Sequence, residues 1–332
     1  HWGSQVEGTA LAWKGLSRNK RLITLALNTP EGQQMLLRLV KDFDVLVENY
    51  RPGVMERWGL APEKLLEVNP RLIILRTSGY GQDGPYAPKP GFGTLAEAFS
   101  GLSYITGAED RPPVLSGYPL ADGVTAMAGA MAILAALYWR DVNGGTGQVI
   151  DNAIIEANYR LIDYTMLDYE KLGIVRERTG NRLGDLAPRN SYQTADGGWV
   201  AISGGTQGIV ERLFRCMGRE DLVDDPRFAN NAERIKNVVA LDEAIAAWMI
   251  QHPMEHVLTV FEEQEVSGAP VNNVAQIADN EHFRARNLLL SIDDPELGLT
   301  STVHVHPRMS ATPGGVKYLG GTIGRDNEAF YL

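Results

Sequence analysis

The sequence predicts an α/β protein, with a first domain built on a helix-covered parallel sheet and a second unit that begins near residue 192. Three observations carry this reading. In the first third, short apolar runs alternate with amphipathic stretches, the pattern of βαβ units. From 176 to 190, Arg, Gly, Asn and Pro follow one another without a period, as in a loop or linker. Directly after it, Asp196-Gly197-Gly198 separates the runs 192–194 and 199–203, as a hairpin turn does. A chain of 332 residues exceeds the roughly 100–200 residues of a typical domain, so two domains are expected.

Taken in order, 22–27 reads as a strand. Residues 31–42 read as a helix with Met35, Leu36, Leu39 and Val40 on one face. Strand 44–48, short helix 63–68 and buried strand 72–76 follow. Residues 123–139 hold no charged side chain, but the run is shorter than the ~20 residues of a membrane span and rich in Ala and Gly. A helix buried in a core is therefore predicted, with small residues admitting close neighbours. Gly144, Gly145 and Gly147 make a turn, and 154–172 reads as one long helix. In the second unit, 209–217, 241–250, 254–265 and 276–285 are helical and 270–274 is extended. Residues 303–306 and those from 313 onward return to the first domain.

Composition bounds the function. Hydrophobic residues at 44% and charged residues at 22% are ordinary for a globular chain, which excludes disorder and coiled coil. Lys+Arg of 31 against Asp+Glu of 41 gives a net charge of −10, which disfavours nucleic acid as a partner. A single cysteine, Cys216, excludes an intrachain disulfide and a Cys-based zinc site, and fits a core position in a reducing, cytoplasmic setting.

Several motifs fail their own context. Gly79-Tyr80-Gly81-Gln82-Asp83-Gly84 matches G-x-G-x-x-G, but Pro85, Pro88 and Pro90 forbid the helix that a dinucleotide site needs. It reads as a tight loop at a strand's carboxyl end, bordering a ligand crevice. His252 and His256 are interrupted by Pro253, and His304 with His306 gives two ligands, too few for a metal. No Gly-x-Ser-x-Gly elbow is present.

Two carboxylates and two basic clusters remain. Glu156 lies early in an apolar helix, where a carboxylate is costly unless paired; by spacing alone it pairs with Arg160 on a solvated face. Asp122 opens the Ala-rich helix, as a cap or first-turn acid does. Arg18-Asn19-Lys20-Arg21 precedes a strand, and Asn49-Tyr50-Arg51, with Arg57, follows one. Basic groups at strand ends suit a small polyanion as well as they suit plain surface charge.

These segments, with Asn69-Pro70-Arg71-Leu72-Ile73, Ser78 to Pro85, Gly144-Gly145-Thr146-Gly147-Gln148, Tyr192 to Gly197 and Gly268-Ala269-Pro270-Val271, resemble the family III CoA-transferases (the CaiB/BaiF family) in order along nearly the whole chain. The resemblance implies a large Rossmann-like domain over 1–188, a small α+β domain over 189–305, and a return segment over 306–332. It implies an interlocked homodimer; the acidic balance speaks against a nucleic-acid partner, and the short apolar run against a membrane one. A further strand–helix unit is expected before residue 1, and more chain after the Leu319 to Glu328 stretch.

The resemblance also implies coenzyme A, carried in as an acyl-CoA substrate, and no metal. It places CoA on Asn19, Lys20, Arg21, Asn49, Tyr50, Arg57 and Gly81. The family's catalytic Asp, shortly after the Gly-x-Gly-Gln turn, corresponds to Glu156. The expected reaction moves CoA from an acyl-CoA to a free acid through a mixed anhydride on Glu156. Backbone N–H groups near Gly81 and in the loop 180–184 would hold the oxyanion. A second carboxylate on the acid would find Arg160, Arg182 or Arg189. Two alternatives stay open. One is an α-methylacyl-CoA racemase type of enzyme with Asp122 and Glu156 as acid and base, although Phe92 stands at its His position. The other is a non-catalytic CoA-binding subunit of a hetero-oligomer.

Overall fold

The computed structural model describes residues 3–331; His1, Trp2 and Leu332, on which the expectations about the chain ends partly rest, lie outside it. The chain packs as two units, Ala26–Pro270 and a second that joins the residues up to Leu25 to those from Val271 onward. This division falls elsewhere than at 188/189 and 305/306. The strand at 268–270 pairs back onto Trp199–Ser203, so 189–270 stays together, and the larger unit ends at Pro270. In the second unit, Lys14 meets Asp294 at 2.7 Å and Arg18 donates to the Val303 carbonyl at 2.6 Å, which ties the hairpin Leu289–Asp294/Gly298–Val303 to the N-terminal segment.

The larger unit is built on β1 (Val45–Glu48), β2 (Ile73–Ser78) and β3 (Gln148–Ala153), parallel and in that order. Val45 lies opposite Ile73, and Ile73 opposite Gln148. Ile73, Ile74 and Leu75 of β2 are buried, as a continuous apolar run requires in a sheet covered on both faces. Helix α1 (Pro30–Leu39) starts where Thr29 accepts from the Gly32 N–H at 3.2 Å, a cap worth about 1 kcal/mol. Helices α2 (Val54–Arg57) and α3 (Pro62–Val68) fill the crossover to β2. Met55, Leu60 and Leu65 pack with Val40, Leu72 and Ile74 in one core.

Between β2 and β3 lie α4 (Gly93–Phe99) and α5 (Leu120–Val142). The buried face of α5 is Ala121, Thr125, Gly129, Ala136 and Arg140. At Gly129 a Cβ would come within 2.8 Å of Asn152 Nδ2 and 2.9 Å of Leu75 Cδ2, so the small residue sets how closely the helix lies on the sheet. The prediction of a fully buried helix is corrected here: 22% of its most apolar stretch is buried. Met127, Met131, Leu134 and Tyr138 form an exposed stripe along the other face. Length and apolarity alone would let this helix cross a membrane. Buried Arg140, paired with Asp44 at 2.9 Å and Asp141 at 2.8 Å, instead ties its C-terminal end to the protein.

The single helix predicted over 154–172 is two, α6 (Ile154–Tyr159) and α7 (Tyr164–Leu172), with an Arg160–Asp163 ion pair in the break. Beyond the 176–190 segment, β4 (Arg189–Gln193), β5 (Trp199–Ser203) and β6 (Gly268–Pro270) form an antiparallel sheet around the predicted turn, where Gly197 has φ +80°. A second core gathers on it: Val210, Phe214, Leu241, Ile245, Val257 and Phe261, with Cys216 at its edge. Burial pushes the Cys216 thiol up, in keeping with an inert core position.

Residues 22–27 form no strand. The Leu22 N–H donates to Asp326 Oδ2 at 2.6 Å, and the Thr24 N–H donates to Asn327 Oδ1 at 2.8 Å. Tyr331 Oη donates to the Thr24 carbonyl at 3.0 Å. Side chains of the C-terminal segment thus take up the groups a sheet neighbour would have used.

Candidate active site

The residues that carry chemistry gather at the carboxyl ends of β2 and β3. From β2 the chain enters the Gly79–Gly84 loop. Gly81, at φ +93°, is buried. Its N–H donates to Ser78 Oγ at 3.1 Å, and the Gln82 N–H donates to Asp151 Oδ2 at 2.8 Å. These donors are therefore engaged, as is the Gly180 N–H on the Gly107 carbonyl at 2.8 Å. Those three N–H groups are thus occupied within the protein. Gly79 and Gly91 touch through their backbones: a Cβ on Gly79 would sit 2.5 Å from Gly91 Cα. This contact brings Gly91-Phe92-Gly93 beside the loop. Tyr80, Tyr86 and Phe99, with ring centroids 5.1–5.5 Å apart, make an apolar wall.

Asp122 stands in the first turn of α5. It does not cap the helix: the cap position is Pro119, with no side-chain bond. Its carboxylate lies against Gly93, where a Cβ would come within 2.8 Å of Oδ1. Asp122 is exposed and has no hydrogen-bond or ion-pair partner among the described residues. The N–H groups at the start of α5 have no intrahelical acceptor, and the helix dipole favours negative charge there.

Glu156 is also exposed and without a partner among the described residues. The pairing with Arg160 that its spacing suggests is not made, because Arg160 is taken by Asp163. Glu156 lines a cavity of about 510 Å³ with Phe99, Ser100, Ile155, Tyr159, Arg160 and Asp163. Asp122 thus meets the N-terminal end of α4, and Glu156 shares a cavity with its C-terminal end. The two ends are roughly 9 Å apart along the helix axis at 1.5 Å per residue.

The predicted CoA positions divide between the two units. Asn49, Tyr50 and Arg57 follow β1 in the larger unit and are exposed, with the Tyr50 ring edge-on to Trp58 at 5.0 Å. Arg57 has no ion-pair partner among the described residues. Asn19, Lys20 and Arg21 belong to the other unit. There the Asn19 amide is already committed: Nδ2 donates to the Gly315 carbonyl at 2.7 Å, and Oδ1 accepts from the Lys317 N–H at 2.7 Å. Lys20 and Arg21 are exposed. Of the arginines suggested for a second substrate carboxylate, Arg182 is held by Asp242 at 2.8 Å. Arg189 donates to the Asn181 carbonyl at 2.6 Å, and only Arg160 lines the cavity.

Sequence reasoning missed the contact of Gly93 with Asp122, and it missed Arg76. Arg76 lies inside an apolar strand with side-chain exposure of 8%, gripping Glu48 at 2.7 Å and Glu56 at 2.8 Å. A charged residue in the middle of a buried strand pattern was the available signal. Gly93 gave none, because its meaning comes from a partner distant in sequence.

Comparison with known proteins follows the same lines. The family described as CoA-transferase family III matches residues 1–327. A succinyl-CoA–D-citramalate CoA-transferase of Chloroflexus aurantiacus is 40% identical over 331 residues, covering 99% of this chain and 82% of that protein. The beta subunit of the succinyl-CoA–L-malate CoA-transferase of the same organism is 38% identical over 326 residues, covering 97% and 80%. Among solved structures, a CaiB/BaiF family protein from Brucella suis superposes with a TM-score of 0.86 at 29% identity, covering 99% of this chain and 87% of that one.

Proposed function

The chain belongs to CoA-transferase family III, and from that premise we propose that it moves CoA between two dicarboxylic acids through a mixed anhydride on Asp122. The dicarboxylate reading comes from its relatives, whose names pair succinyl-CoA with citramalate or malate. The single observation that carries the site is the Asp122 carboxylate, free of partners, at the start of a 23-residue helix and against a residue without a side chain. This moves the nucleophile from Glu156, where the sequence resemblance put it.

In the proposed reaction, a carboxylate oxygen of Asp122 attacks the thioester carbonyl carbon. The C–S bond breaks and CoA leaves as its thiolate. The thiolate then attacks the aspartyl carbonyl of the anhydride, giving an aspartyl-CoA thioester and releasing the donor acid. The acceptor carboxylate attacks that thioester and forms a new anhydride. Thiolate attack on its acyl carbon yields the new acyl-CoA and frees Asp122. Each step exchanges one activated acyl bond for another, so no external energy source enters. A carboxylate is a weak nucleophile, so the gain comes from geometry and exclusion of water. The N–H groups of Ala121 and Asp122, at the start of α5, are our candidate donors to the developing oxyanion. Asn49, Tyr50 and Arg57 are our candidate CoA contacts.

The isomerase alternative needs Asp122 and Glu156 to address one carbon, and their places at opposite ends of α4 speak against it, as does Phe92. A purely non-catalytic subunit would bind CoA without turnover, and the activity screen separates it from a transferase. The exposed stripe Met127, Met131, Leu134 and Tyr138 favours a homodimer in which a second copy covers α5. The test is a screen of succinyl-CoA against dicarboxylic acceptors. Asp122→Asn should lower kcat by about 10³-fold or more, and Glu156→Gln by less than about tenfold. The reverse ranking would return the nucleophile to Glu156.

A further inference from the structure

Arg76 holds together the segment that carries Asn49, Tyr50 and Arg57, and nothing else in that segment does so as completely. The β1 strand ends at Glu48, which is 6% exposed. One Glu48 oxygen accepts from Arg76 Nε at 2.7 Å, and the other accepts from the Tyr50 N–H at 2.7 Å. Arg76 Nη1 reaches forward to Glu56 Oε1 at 2.8 Å, one residue before Arg57. A single guanidinium therefore clamps both ends of the stretch between 48 and 56. The stretch needs it. Gly53 turns the chain at φ +81°, and α2 is only four residues long, far below the length at which a helix sustains itself.

The clamp also sets charge. With Glu56 drawn onto Arg76, Arg57 is left without an ion-pair partner among the described residues. Buried ion networks of this kind give little net stability but fix geometry, because a planar fork satisfies two carboxylates in only one arrangement. A lysine offers one ammonium and no fork.

We propose that Arg76 is a positioning residue for coenzyme A: through Glu48 and Glu56 it presents Asn49, Tyr50 and Arg57 to the CoA polyanion. The inference rests on reading those three residues as CoA contacts. The test measures free coenzyme A binding to the full chain by calorimetry, together with thermal unfolding and the KM for the acceptor acid. Glu56→Gln removes the solvent-facing arm without stranding a buried charge, so it remains informative even if Arg76→Lys folds poorly. Both variants should weaken CoA binding by about five- to tenfold, the range of one ordinary hydrogen bond, with the acid KM unchanged and Glu56→Gln melting close to wild type. Arg57→Ala should weaken CoA binding at least as much. If Arg57→Ala weakens binding while Glu56→Gln and Arg76→Lys bind within twofold of wild type, the positioning role is wrong. If Arg57→Ala itself binds CoA like wild type, the segment does not contact CoA, and both readings fall.

Discussion

At position 93 the absence of a side chain matters as much as the carboxylate it faces. A Cβ there would stand 2.8 Å from Asp122 Oδ1, well inside contact distance, so Gly93→Ala has to push the carboxylate aside. If Asp122 carries the acyl group, this displacement should lower kcat by about 10²-fold, because misplacement on the ångström scale costs that much, while far-UV circular dichroism stays unchanged. A variant with full activity would show that the Asp122–Gly93 contact has no part in catalysis. At this scale the sequence was half legible. The first-turn acid at 122 was visible, but a first-turn acid is also what an ordinary helix start looks like. Only the lack of a cap bond and the contact with Gly93 separate the two. Glu156 is the converse case, since spacing offered it Arg160 and the break after α6 gave that arginine to Asp163.

Among the elements, α5 was predicted as a helix from its Ala- and Gly-rich run, and it is one. Its burial was misjudged for a physical reason. Composition reports that a face is apolar but not what covers it, and only the Gly129 face lies on the sheet. The strand expected at 22–27 failed similarly: its period was right for a strand, but Asp326 and Asn327 side chains took its N–H groups. The segment after β1 adds a pH dependence. Burial pushes the Glu56 carboxyl up, but hydrogen bonding and charge from Arg76 outweigh it, so the group titrates below its usual 4.5. A carboxyl lowered on folding contributes stability that is present above its ordinary value and lost as pH falls through the lowered one. Hydrogen-exchange protection of the 49–57 amides should therefore hold above pH 4.5 and decline below it, and Glu56→Gln should abolish that step. An unchanged acid limb in Glu56→Gln would remove Glu56 from the account.

For the whole molecule, two cores were legible in advance. The 176–190 composition shift separates a parallel-sheet core from an antiparallel one, and both exist. The return of the C-terminal residues to the N-terminal part of the chain was expected, but its landing on residues 14–24 was not legible, because it runs through single side chains such as Asp294 and Asp326. The open stripe on α5 belongs to this scale. Sedimentation should show a dimer, and the double change Met131→Glu with Leu134→Glu should yield monomer or aggregate; a wild-type monomer at micromolar concentration would refute the homodimer. The central claim is that Asp122 carries the activated acyl group, and borohydride trapping reads this directly. After incubation with succinyl-CoA and borohydride, peptide mass mapping should find residue 122 reduced from aspartate to homoserine. Reduction at Glu156 instead, or transfer activity that survives in Asp122→Ala, would contradict it.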